Sequence, residues 1–120
     1  MFTYRVAEVL GVVDGDTIDC RVALGFGLTA AFRFRLAAID TPEMFGQHAE
    51  ARGAAAAAFT KKWLADHPQL TVRTFKGAES TVGIGDGAFG RWLAAFVAPD
   101  GSDLAAALRS AGHVKGVTVR

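Results

Sequence analysis

Cysteine occurs once in this chain of 120 residues, at position 20, so no intrachain disulfide can staple the fold. A lone cysteine suits a reducing compartment, or a fold that needs no staple. Charge of one sign is not in excess either, with 13 Lys and Arg against 12 Asp and Glu and a formal net charge of +1. Bulk charge therefore does not mark a nucleic-acid binder, and any such role must come from charges gathered locally. The opening MFTYRVAEVLGVVDGD lacks a basic region followed by a long apolar stretch and a small-residue cleavage site. Neither a signal peptide nor a transmembrane span is predicted. The expected location is cytoplasmic, and a secreted mature form that starts after processing is compatible with the same sequence. There is no internal repeat and no interdomain linker, so residues 1–120 are expected to form a single domain.

What is present is globular in character, with 51% hydrophobic and 21% charged residues. Residues 3–13 alternate loosely and read as a strand, closed by a tight turn at Asp14-Gly15. Thr17 to Leu24 alternates cleanly: Ile18, Cys20, Val22 and Leu24 share one face, with Asp19 and Arg21 on the other. Gly25-Phe26-Gly27 reads as a second turn. A third strand is predicted from Ala30 to Ile39, with Phe32, Phe34 and Leu36 opposite Arg33 and Arg35. A helix over about Glu50–Ala65, strands at Leu70–Phe75 and Arg91–Val97, and a second helix at 103–111 with Ser102 as N-cap and Gly112 as stop follow. Five strands, with one helix between the third and fourth, match a mainly β, α+β architecture: a five-stranded OB-fold barrel with two helices.

The carboxylates gather at turns. Asp14, Asp16 and Asp19 surround the first, and Asp40 and Glu43 flank Thr41-Pro42. Hard divalent cations favour oxygen ligands, and two aspartates at the ends of neighbouring strands could provide the anionic core of such a site. The same stretch does not make an EF-hand, because Asp19 falls where its glycine is needed and Gly25 where its bidentate glutamate is needed. Arg35 and Arg91 are the cationic candidates, since a planar guanidinium can bind two oxygens of a phosphodiester transition state. Arg33 is the decoy beside them. The Gly83-Ile84-Gly85-Asp86-Gly87 run does not open a helix, as a dinucleotide fingerprint requires.

Three segments together resemble the signatures of the staphylococcal nuclease family. They are Val13-Asp14-Gly15-Asp16-Thr17, Phe34-Arg35-Leu36-Ala37-Ala38-Ile39-Asp40-Thr41-Pro42-Glu43 and Phe89-Gly90-Arg91-Trp92-Leu93-Ala94. The Phe59-Thr60-Lys61-Lys62 stretch and Asp100-Gly101, followed by a short helix ending at Gly112-His113, are also similar, so the likeness covers nearly the whole chain in order. The resemblance implies a calcium-dependent endonuclease that cuts DNA and RNA at the P–O5′ bond and leaves 3′-phosphates. By it, Asp16, Asp40 and the backbone carbonyl of Thr41 would hold Ca²⁺. Glu43 would orient or deprotonate the attacking water, and Arg35 and Arg91 would hold the phosphate. Phe89, His113 and Lys115 are further candidate substrate contacts. Implied partners are single-stranded or denatured DNA and RNA rather than a membrane, with the chain a monomer or a homodimer. The alternative is an OB-fold module that binds nucleic acid or protein with little or no turnover.

The chain departs from the family pattern near its end. The family's barrel is usually followed by a third helix and by tyrosines near the base, and here Gly116-Val117-Thr118-Val119-Arg120 holds no aromatic. Phe89 stands where a tyrosine is common. Arg35 and Asp40 differ by an odd number of positions, so a bulge or bend near Ala37-Ala38 is predicted if both are to face one site.

Overall fold

The computed structural model describes residues 2–37, 39, 41–42, 51–75 and 91–114, with Arg91 by its backbone alone. Strands β1 (Phe2–Asp14), β2 (Thr17–Gly25) and β3 (Leu28–Leu36) form the predicted antiparallel meander. Helix α1 (Ala51–Asp66), strands β4 (Thr71–Phe75) and β5 (Arg91–Val97), and helix α2 (Leu104–Ser110) follow. The strands close into a barrel in the order β1-β2-β3-β5-β4. Only the β3–β5 seam is parallel; the other neighbours run antiparallel. This is the OB-fold-like, mainly β arrangement with two helices. β1 serves two partners, meeting β4 through Phe2–Arg5 and β2 through Arg5–Asp14. Register shifts at Val6/Glu8, Val9/Gly11 and Val12/Asp14 coil it around the barrel, as extra residues on one strand do.

Alternation fills the barrel. Ile18, Cys20 and Val22 from β2 are buried with Phe34 and Leu36 from β3, Val72 from β4 and Phe96 from β5. Phe34 and Phe96 meet edge to face, centroids 5.8 Å apart at 86°, the geometry aromatic quadrupoles favour. Leu104 and Leu108 of α2 and Trp63 and Leu64 of α1 join the same core. On α1 the buried positions Gly53, Ala56, Ala57, Thr60, Trp63 and Leu64 recur at helical spacing. The alanine run is thus half a packing surface of small residues. Among the described residues no helix is long and apolar enough to cross a membrane.

Most element boundaries shift by one or two residues from the sequence reading, and at the end of β3 and the start of α2 the difference has a local cause. β3 ends at Leu36 rather than Ile39, because side-chain donors take the carbonyls that a longer strand would use, as described below. The N-cap of α2 is Asp103, not Ser102: Asp103 Oδ1 accepts from Ala105 N at 2.8 Å and Ala106 N at 3.4 Å. Ser102 N instead donates to Asp100 Oδ1 in the preceding turn. Gly112, at φ 83°, ends the helix as expected. The 77–90 loop and residues 43–50 lie outside the described residues.

The turn between β2 and β3 has all three residues at positive φ: Gly25 at 93°, Phe26 at 56° and Gly27 at 76°. Such a two-residue hairpin turn favours Asn-Gly, and a bulky side chain in the left-handed region is disfavoured by about 1–2 kcal/mol. Phe26 occupies it with its ring in solvent.

Cys20, fully buried, has its thiol pushed up to about 12, first by desolvation and then by Asp19. It is expected to resist a soluble thiol reagent at pH 8 in the native protein and to react at once after unfolding in urea. Fast native labelling would mean that the barrel is not closed over it. The folded thiol holds its proton more tightly than the unfolded one. Its contribution to stability is therefore complete below pH 9 and declines as pH rises towards 12, a slope absent in Cys20→Ala.

Candidate active site

Asp16 is the second residue of the β1–β2 turn, and its side chain points inward, 6% exposed. Its Oδ1 accepts from Thr17 Oγ1 at 3.1 Å, and its Oδ2 accepts from the backbone N of Thr41 at 3.0 Å. Arg35, near the end of β3 and directly opposite Thr17 in the ladder, brings Nη1 to 3.0 Å from the same Oδ2. That Nη1 also donates to Ile39 O at 2.6 Å and Leu36 O at 3.1 Å. One guanidinium edge thus gathers the carbonyls of the chain leaving β3 and the carboxylate of the first turn. Backbone bonds tighten the same corner: Leu36 N donates to Asp16 O at 2.8 Å, and Ala37 N to Ala94 O at 3.0 Å.

Helix α1 closes the corner from outside. Thr60 Oγ1, fully buried, donates to Gly15 O at 2.6 Å. A Cβ on Gly15 would stand 2.9 Å from Ala56 Cβ, 3.0 Å from Thr41 Oγ1 and 3.1 Å from the Ala56 carbonyl carbon. The turn can approach the helix this closely only because both faces are small. Thr60 and Ala56 escaped the sequence reading as site-building residues. Their signal was the stripe Gly53, Ala56, Ala57, Thr60, in which one hydroxyl interrupts an otherwise small apolar face.

Of the sequence-derived candidates, Asp16, Arg35 and Thr41 meet here. Asp40, Glu43, Phe89 and Lys115 lie outside the described residues. Arg91 begins β5, its backbone beside that of Arg33 and two residues before the Leu93–Arg35 pair. His113 packs on Phe59 of α1, ring centroids 5.0 Å apart, and its backbone N donates to Leu108 O. The decoy Arg33 is held by Asp19, its cross-strand partner, through Nε–Oδ1 at 2.7 Å and Nη2–Oδ2 at 3.0 Å. That bidentate bond raises the Arg33 pKa further. No bulge interrupts the β3 ladders between Thr29 and Leu36; β3 ends at Leu36 and Ala37 lies in a turn, while Ala38 and Asp40 lie outside the described residues.

The described donors suit a hard cation in kind, since they are oxygens. Thr41 Oγ1 is buried with no hydrogen-bond partner among the described residues, a polar atom that an ion or ligand at this corner could satisfy. No group of three or more His, Cys, Asp or Glu suited to a metal occurs among the described residues. No protein-family model matches the chain, and no curated protein matches it.

Gly15→Ala places a methyl group into α1 and Thr41 at once. It is expected to cost about 1–3 kcal/mol in urea unfolding, as overpacking does. Thr60→Ser, which keeps the hydroxyl, should stay close to the parent in the same measurement.

Proposed function

We propose that the chain is a calcium-dependent phosphodiesterase that cuts single-stranded or denatured DNA and RNA, of the staphylococcal nuclease kind. The observation that carries this reading is the convergence of Asp16, Arg35 and Thr41, from three separate segments, on one buried corner of the barrel. These are three of the residues that the motif order singles out. Asp16 and Thr41, with Asp40, would hold the ion, which when bound supplies neutralising charge at the phosphate. Glu43 orients or deprotonates a water for attack on phosphorus. Arg35 and Arg91 hold the phosphate oxygens as negative charge builds on them. The P–O5′ bond breaks, the 5′ oxygen leaves with a proton, and a 3′-phosphate remains. A single, buried cysteine supports a reducing, cytoplasmic setting.

A second reading has its own observation. Asp16 Oδ2 already accepts from Thr41 N and pairs with Arg35, so the corner also works as a clamp without an ion, as in an OB-fold binding module.

Cleavage of denatured DNA, with Ca²⁺ and with chelator, separates the two. The parent is expected to cut only with Ca²⁺, and Glu43→Gln and Arg91→Ala are each expected to lower the rate at least about 100-fold. A folded parent that binds the DNA but does not cut it would leave the binding module standing.

A further inference from the structure

The strongest feature outside the proposed site is at the end of the barrel away from Asp16. There β1 and β3 begin, β2 ends, and Phe2, Tyr4, Val22, Leu24, Phe32 and Trp92 line a cavity of about 270 Å³. Beside it, the β2–β3 turn holds Phe26 with its ring fully in solvent, 102% exposed, on a backbone that disfavours any bulky residue. Leu28 is 61% exposed, Leu24 42% and Phe2 68%, so the ring is the tip of an apolar patch. Contiguous apolar surface of this kind marks an interaction site rather than ordinary solvent-facing surface. The strain at Phe26 has no compensating contact among the described residues. A device held in a sparsely populated conformation points to use.

We infer that this end of the barrel is a self-association surface, in which Phe26 of each copy enters the aromatic mouth of a second copy. The volumes agree: an apolar cavity of about 150 Å³ accepts benzene, so the mouth has room for a phenyl ring and part of a flanking leucine. The placement agrees as well. Leu24 both lines the mouth and borders the turn, so knob and socket share one edge of the molecule. A two-fold axis beside that edge inserts both knobs at once and closes the assembly, leaving no unfilled socket to propagate a chain. The area reaches what a specific contact needs: covering what Phe2, Leu24, Phe26 and Leu28 expose removes up to roughly 500 Å² per copy, about 1,000 Å² for the pair.

Sedimentation velocity on the full chain, from a few micromolar to several hundred micromolar, tests this. The parent is expected to shift from monomer to dimer with concentration. Phe26→Asn, which fits the turn better, should raise the dimer dissociation constant at least 100-fold while its melting temperature at low concentration holds or rises. Phe2→Ser, on the socket rim, should weaken the dimer in the same direction. A parent that stays monomeric throughout, or a dimer indifferent to Phe26→Asn, would overturn the inference. If the parent stays monomeric and Phe26→Asn instead loses binding to denatured DNA, the ring serves nucleic acid and the dimer is ruled out. Because none of these readouts is cleavage, the outcome does not depend on the nuclease reading.

Discussion

The ion pair between Asp16 and Arg35 is the contact on which the rest of this barrel depends. Asp16 sits in the first turn, Arg35 at the end of the third strand, and the backbone of Thr41 is drawn to the same carboxylate oxygen. Both side chains are largely buried, so neither charge is tolerable without the other, and losing one partner of such a pair typically costs about 3–5 kcal/mol. The pair does not simply add stability. It fixes where β3 stops and where the chain goes next, because the same guanidinium edge takes the Leu36 and Ile39 carbonyls.

Close packing against α1 makes that corner rigid. Gly15, Ala56 and Thr60 let the turn and the helix approach to van der Waals contact, with one hydroxyl satisfying the turn's carbonyl. A larger residue at any of these positions would push the helix off and carry the Asp16 carboxylate with the turn. The alanine-rich composition of α1 is therefore a condition of the site's geometry as well as of helix formation. The opposite end of the barrel follows another logic, with large aromatic side chains left partly uncovered.

Much of this was legible in the residues. Period-two alternation in Ile18, Cys20 and Val22 and in Phe34 and Leu36 identified the inward faces, because a barrel interior imposes that period on every strand. Leu24 broke the pattern because it lies at the barrel's rim, where alternation no longer implies cover. The end of β3 was hidden for a different reason: Ala37-Ala38-Ile39 continues an apolar run, and the signal that stops it is a side chain hydrogen bond to carbonyls ahead of it. The α2 cap was ambiguous between Ser102 and Asp103, two adjacent good acceptors, and three-dimensional competition from Asp100 decided it. For the site, Asp16, Arg35 and Thr41 were identifiable by motif order. Gly15 and Thr60 lie in the same motif segments, but their packing role is apparent only once the helix lies against the turn. Arg33 and Arg35 looked alike in sequence, and register alone gave Arg33 to Asp19.

Under the proposed function, the Asp16 corner would be a cation site as well as a clamp. Thermal unfolding of the full chain, titrated with Ca²⁺ and compared with Asp16→Asn, tests it most directly. The expected result is a melting temperature that keeps rising with the logarithm of Ca²⁺ concentration above the dissociation constant, corresponding to about 2.7 kcal/mol of added stability at a hundredfold excess, and no rise in Asp16→Asn. A folded parent whose melting temperature does not respond to millimolar Ca²⁺ would contradict the claim and leave the corner as a clamp alone.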